Sequence, residues 1–255
     1  MQIQILFTPH EFDELALREK TAVVIDVLRS SSTVITALHN GAREVIPTPS
    51  VEAAAKIAGH LNADVTIRGG ERNGKMIEGF ALGNSPLEYT EERVRDKSIV
   101  YTTTNGSSLM LKAKYAKRVV VCGFVNISAV AGFLREQAGE VEILCAGNSG
   151  RFAIEDAVCA GMLVHLLGEG ETGEIALSDA SLAAKALYRT SSRNIQRMVR
   201  QSEDGRYLDS LGFADDLRYC AGLDTIPVLP LLDDNVLRLR READRREGPA
   251  VQASA

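Results

Sequence analysis

The feature that most constrains this chain is its rhythm between Met1 and about residue 167, where short β-rich apolar runs alternate with helix-length amphipathic stretches. This is the pattern of strand-turn-helix units, whose crossover helices return the chain so that successive strands pair in parallel. The spacing predicts strands at 2–7, 22–27, 44–47, 65–68, 98–102, 118–122 and 142–145. Helices are predicted at 31–40, 51–60, 107–116, 127–136 and 154–167. Beyond residue 178 the sequence reads as helical throughout, with a polar stretch, ALYRTSSRNIQRMVRQSEDGRYL, expected to cover the sheet or form a lid. The expected fold class is α/β, a layered, mixed and largely parallel sheet flanked by helices, with a helical C-terminal part.

One domain is expected over 1–237, followed by a charged tail, 238–255, that should fray. Within the domain, VIDVLRSSSTVITALHNGAREVI can be laid over IVYTTTNGSSLMLKAKYAKRVVV, with Ser32 on Ser107 and Arg43 on Arg118. The echo is read either as duplicated half-domains, near 20–97 and 98–168, whose turns face one cleft, or as the ordinary likeness of any two such units.

Composition narrows the function. With 255 residues, 45% of them hydrophobic, the chain can bury a sizeable core. No apolar run reaches the roughly 20 residues that span a bilayer, and the start, MQIQILFTPHEFDE, is acidic where a signal peptide is basic, so a cytoplasmic location and no membrane partner are expected. A net charge of −5 argues against nucleic acid, which is bound by neutralising many phosphates. The four cysteines, Cys122, Cys145, Cys159 and Cys220, lie far apart and outside zinc-ligand spacing. A homodimer is expected from size and from how commonly such proteins pair.

Four turns carry the candidate chemistry. In DVLRSSST a buried strand delivers Asp26 at its end, then Arg29, Ser30, Ser31 and Ser32 open a helix whose free N–H groups suit a phosphate or sulfonate. GGERNGK places Glu71, a metal-seeking carboxylate, beside Arg72, an anion-seeking guanidinium, in a stretch read as a functional loop because it has no hydrophobic period. Glu78, Asn84 and Ser85 follow it. TTTNGSS offers Thr104, Asn105 and Gly106 as neutral donors at another strand end. CAGNSGRFAIED is read in two ways. Cys145 and Arg151 have the spacing of a cysteine phosphatase cradle; alternatively Cys145 is a buried strand residue while Glu155 and Asp156 supply oxygen ligands to a hard cation. Asp215, Asp216 and Asp224, in DDLRYCAGLD, read as a helix face and a cap or, alternatively, as lining the site.

Taken in order and spacing, DVLRSSST, GGERNGKMIEGFALGNSP, TTTNGSS and CAGNSGRFAIED resemble the ComB family of 2-phosphosulfolactate phosphatases, over about 26–156. The resemblance implies Mg²⁺-dependent hydrolysis of 2-phosphosulfolactate to 3-sulfolactate and phosphate, a step of the coenzyme M biosynthesis type. It implies a small anionic phosphorylated and sulfonated substrate and an active site containing Asp26, Arg29, Glu71, Arg72, Asn84, Asn105 and the Glu155–Asp156 pair. On that basis Asp26, Arg29, Glu71 and Arg72 are expected to be catalytic, and Asp26, Glu71, Glu155 and Asp156 to hold Mg²⁺. Ser30, Ser31, Ser32, Asn84, Ser85, Thr104, Asn105, Gly106, Gly147 and Arg151 are expected to bind substrate. Where the family has alanine and threonines after the arginine, this chain has Ser30-Ser31-Ser32, which keeps the hydroxyls. A metal-free enzyme using Cys145 and Arg151, and a non-catalytic binder of anionic metabolites, are the alternatives.

Overall fold

β2 (Thr21–Ile25) shows how the apolar runs become a sheet: all five residues are buried, with Val23 and Ile25 in one apolar cluster and Ala22 and Val24 in the other. A strand buried on both faces reads as a continuous run, the mark of a parallel sheet covered by helices. The computed structural model describes residues 1–10, 13–137, 139–169 and 175–240. The other strands are β1 (Gln2–Leu6), β3 (Glu44–Pro47), β4 (Thr66–Arg72), β5 (Lys75–Met76), β6 (Ser98–Thr102), β7 (Arg118–Cys122), β8 (Glu140–Cys145), β9 (Ala176–Leu177), β10 (Pro230–Asp233) and β11 (Val236–Leu239). Among the described residues they form one sheet in the order β5-β4-β6-β3-β11-β10-β7-β2-β8-β1-β9.

Two parallel blocks, β4-β6-β3 and β7-β2-β8-β1-β9, are joined by the antiparallel β10–β11 hairpin. Val24 lies between Val121 of β7 and Leu144 of β8, while Leu231 of β10 pairs with Val120 and Leu237 of β11 with Val45. The hairpin corrects the expectation of helix throughout the C-terminal part. Asp234 and Asn235 take φ of 48° and 62°, the two left-handed residues of a tight hairpin turn. Arg238, expected to open the tail, is a strand residue paired with Leu231 of β10, and its guanidinium donates to Glu44 Oε2 at 2.6 and 3.1 Å. The expected tail beyond residue 240 lies outside the described residues.

The helices are α1 (Ser30–His39), α2 (Val51–His60), α3 (Glu91–Val94), α4 (Gly106–Lys112), α5 (Ile127–Arg135), α6 (Ile154–Gly168), α7 (Asp179–Ser191), α8 (Ile195–Gln201), α9 (Glu203–Ser210) and α10 (Ala214–Cys220). Ile127, Val130, Leu134, Val158 and Leu163 of α5 and α6 pack in one cluster, and Ile35, Leu38, Leu109 and Met110 of α1 and α4 in the other. α1 is buried from Ser30 to Leu38. Its hydroxyls survive burial because each finds an oxygen or amide: Thr36 Oγ1 donates to Ser32 O at 2.7 Å, Thr33 Oγ1 to Asn84 O at 2.9 Å, and Ser32 Oγ to Val27 O at 3.2 Å.

The two units related by the sequence echo, β2-α1-β3 and β6-α4-β7, occupy mirrored places in the strand order around the hairpin. Although four strands separate β2 from β6 in that order, their turns touch, with Ser30 Oγ and Thr103 Oγ1 3.2 Å apart. The glycine-rich stretch read as a loop is a strand and a turn: β4 continues through Gly69-Gly70-Glu71-Arg72, and Asn73-Gly74 (φ 51° and 74°) turn it into β5. The glycines hid the strand because the neighbours leave no room for side chains. A Cβ on Gly69 would sit 2.3 Å from the Tyr89 hydroxyl, and one on Gly70 1.9 Å from Thr102 O.

Candidate active site

The turns following β2, β4, β6 and β8 converge with α9 on a cleft of about 410 Å³. Ligand sites in open α/β sheets lie at the carboxyl ends of the strands, where turns lead away to either side. Asp26, Arg29 and Ser30 come from the first turn, Glu71, Asn73 and Gly74 from the β4–β5 hairpin, Thr104 and Asn105 from the turn after β6, and Asn148, Ser149 and Arg151 from the turn after β8. Asn84 also lines the cleft, and Glu203, Asp204, Tyr207 and Leu208 of α9 form a wall.

Hydrogen bonds hold the side chains of the cleft and tie its turns together. Asp26 accepts the Ser30 amide on Oδ1 at 3.2 Å, and its own amide donates to Ser31 Oγ at 2.9 Å. Its Oδ2 faces Gly106, where a Cβ would come within 2.4 Å of it. Glu71 bridges two turns, accepting the Gly74 amide on Oε2 at 2.8 Å and the Thr104 amide on Oε1 at 2.7 Å. Asn84 accepts the Tyr101 hydroxyl on Oδ1. Asn105 accepts the Ser149 amide at 3.2 Å, tying the third turn to the fourth. Tyr207 closes the wall by donating to Asn73 O at 3.0 Å.

Several expected site residues stand behind the cleft and shape it. Ser31 and Ser32 are buried and spend their hydroxyls on the turn itself. Arg72 braces the hairpin, donating to Glu71 O at 2.8 Å and Thr102 Oγ1 at 3.0 Å. Ser85 Oγ donates to Asp216 Oδ1 at 2.7 Å. Gly106 admits the close approach of Asp26, and Gly147, at φ 60°, donates its amide to Asp156 Oδ2 at 3.0 Å. Asp156 Oδ1 accepts the Val27 amide at 2.8 Å, so this carboxylate clamps the first turn to the fourth. Glu155 faces an adjoining hollow of about 190 Å³, which shares Asn148, Glu203 and Asp204 with the main cleft.

Cys145 is 1% exposed, in the apolar core at the end of β8, and does not line the cleft. Arg151 pairs with Glu203 at 2.8 Å on the rim. The thiolate cradle suggested by their spacing is therefore not assembled.

Burial dominates the electrostatics. Desolvation pushes Asp26 up to about 6, with the Glu71 charge adding to it and the Ser30 hydrogen bonds and Arg29 opposing. Glu155 rises to about 7 by desolvation, with repulsion from Asp26 and Glu203. Asp204 also rises to about 7, through desolvation and then the charges of Glu155, Asp26 and Glu203. Burial raises Asp156 as well, reinforced by Asp26 and Glu155. Four carboxylates and two arginines line the cleft, and both arginines already face carboxylates.

Those mutually repelling carboxylates test the expected cation. Among the described residues no three acidic, histidine or cysteine side chains converge on one ion, so the four-carboxylate set expected from sequence is divided. Asp26 and Glu71 remain facing the cleft. Two carboxylates, completed by water and phosphate oxygens, are what Mg²⁺ commonly uses, so the donor set fits that hard cation.

What sequence reasoning missed lies on the C-terminal helices. Glu203, Asp204 and Tyr207 read as a polar stretch, and Asp216 as a helix face, yet the first three line the cleft and Asp216 is buried against Arg29. A signal was present for α9: Ser202 caps it, Ser202 Oγ accepting the Gly205 amide at 3.0 Å, which places Glu203 and Asp204 in its first turn.

Comparison with known proteins agrees with this architecture. The family model for 2-phosphosulpholactate phosphatase matches residues 6–235, which include every turn of the cleft. A protein of Gloeobacter violaceus named probable 2-phosphosulfolactate phosphatase is 41% identical over 90% of this chain and 94% of its own length. Proteins of the same name from Clostridium beijerinckii (38%, over 92% and 98%) and Caldanaerobacter subterraneus subsp. tengcongensis (35%, over 95% and 100%) are similar from end to end. With its motifs, its cleft and its full-length relatives in agreement, the chain belongs to the 2-phosphosulpholactate phosphatase family.

Proposed function

We propose that this protein is a Mg²⁺-dependent phosphatase that hydrolyses 2-phosphosulfolactate to 3-sulfolactate and phosphate, or acts on a closely related phosphorylated acid, a reaction of the coenzyme M biosynthesis type. The observation that carries the reading is an acid-lined cleft, with Asp26 and Glu71 facing it, in a chain whose relatives are named for a trianionic type of substrate. Such a cleft repels an organic acid bearing phosphate, carboxylate and sulfonate unless a cation offsets the repulsion.

Asp26 and Glu71 would hold Mg²⁺, which would supply positive charge to offset that of the phosphorylated substrate and Lewis acidity to activate water. Arg29 offers N–H groups to an anionic oxygen of the substrate. Asn84, Thr104 and Asn105 contribute amide and hydroxyl groups without adding charge. In the reaction, the oxygen of water bonds to phosphorus as the ester P–O bond breaks. The water's proton passes to a cleft carboxylate, and the departing oxygen takes up a proton to become the hydroxyl of sulfolactate.

The substrate assignment is tested by comparing phosphate release from 2-phosphosulfolactate and from 2-phospholactate, which lacks the sulfonate. At least roughly tenfold higher kcat/KM for the sulfonated ester is expected, the discrimination that one well-placed anion contact supplies. Equal values would remove the sulfonate from recognition and widen the substrate class to phosphorylated hydroxy acids.

A further inference from the structure

Arg29 and Asp216 stand 187 residues apart in sequence and form a buried ion pair, Nη1 to Oδ2, at 2.7 Å, with side-chain exposures of 1% and 3%. The guanidinium is held at two further points. Its Nη2 donates to Gly74 O at 2.7 Å, and its central carbon sits 4.2 Å above the centre of the Phe213 ring. Asp216 is itself fixed, because Ser85 Oγ donates to its other oxygen at 2.7 Å. Arg29 lines the cleft, and Asp216 does not.

We infer that Asp216 is a positioning residue: it fixes the plane of the Arg29 guanidinium in the orientation that grips an anionic group of the substrate, and acts on turnover only through Arg29. The inference rests on the phosphatase reading above. An arginine side chain has many rotamers, and an unbraced one must be ordered each time substrate binds. Three contacts, from Gly74 of the β4–β5 turn, from Asp216 of α10 and from Phe213 just before it, impose one orientation in advance while engaging Nη1 and Nη2 with one hydrogen bond each, fewer than the donors a guanidinium carries. The neighbouring carboxylate also cancels much of the arginine's charge. A residue serving only to attract anions would be weakened by Asp216; one serving to aim hydrogen bonds is improved by it.

This contrast makes the test decisive. If Asp216 merely screens Arg29, then D216N exposes more positive charge, tightens binding of inorganic phosphate and spares kcat. If it aims Arg29, then D216N lowers kcat on 2-phosphosulfolactate at least roughly tenfold, and weakens phosphate binding measured by calorimetry. A double-mutant cycle with R29M separates aim from general structure. D216N should add less than about twofold in the R29M background. Equal effects in both backgrounds, or tighter phosphate binding by D216N, overturn the inference. Should R29M fail to fold, S85A in the same assays takes its place. Loss of the hydroxyl that steadies Asp216 is expected to lower kcat severalfold with the melting temperature nearly unchanged, and unchanged kcat there also overturns the inference. If the wild type releases no phosphate from 2-phosphosulfolactate, the substrate reading fails, and the same cycle is then decided on phosphate binding.

Discussion

The turn after β2 and the turn after β6 are built alike and used differently. Each leaves the end of a buried parallel strand, opens into hydroxyl-bearing residues and enters a helix packed against the same sheet face. Each ties its strand end to its helix through a serine, Asp26 N donating to Ser31 Oγ and Thr103 N to Ser107 Oγ, both at 2.9 Å. The first turn places charge in the cleft, Asp26 and Arg29. The second, Thr103 to Gly106, brings none, and its glycine makes room for the carboxylate of the first. The difference teaches that one supersecondary unit can serve once as the chemical turn and once as the mould that holds it.

If the division of labour is real, the largest loss comes from neutralising the chemical turn. D26N, like E71Q across the cleft, is expected to lower phosphate release by roughly 1000-fold or more while the protein folds normally, since each removes one of the charges proposed to hold the cation. Near-normal turnover in either variant would take that carboxylate out of the scheme. Damage to the mould should cost less. G106A sets a Cβ 2.4 Å from Asp26 Oδ2 and 2.5 Å from Ser30, and the small displacement this forces should reduce kcat roughly 10- to 100-fold, with a lower melting temperature. Turnover at the wild-type level would show that the close approach of the two turns is incidental.

The smallest effect lies on the wall, outside both turns, and concerns stability. The folded-state pKa of Asp204, about 7, is raised above its ordinary 3.8. Its contribution to stability is therefore fully present below pH 4 and is lost as the pH rises through 7. D204N escapes that loss. Without added cation it should melt about 3 °C above the wild type at pH 7.5 and level with it near pH 4. A constant difference across that range would contradict the assignment of the lost stability to the ionised carboxylate.

The sheet was legible wherever burial on both faces imposed a short run of β-rich apolar residues. TAVVI, SIVYT and RVVVC are runs buried on both faces; they form β6 and β7 as read and β2 at 21–25, ending two residues before the expected 22–27. GGER was not, since its strand contributes backbone and empty space where Tyr89 and Thr102 press in. Nor was the β10–β11 hairpin, whose Asp-Asn turn was hidden within a segment read as helical and whose place at the centre of the sheet depends on partners more than a hundred residues away. The site shows the same boundary. Asp26, Arg29, Glu71, Thr104 and Asn105 stand where strands end, a position sequence can reveal. That Asp156 is a clamp between two turns, that Ser85 steadies Asp216, and that α9 walls the cleft are facts of tertiary closure with no local pattern.

The central claim, that an acid-lined cleft handles an anionic ester with the help of a divalent cation, is tested most directly by phosphate release from 2-phosphosulfolactate before and after EDTA, and again after Mg²⁺ is restored. Release that stops with the chelator and returns with Mg²⁺ is the predicted result. Release that continues undiminished in EDTA would contradict the account.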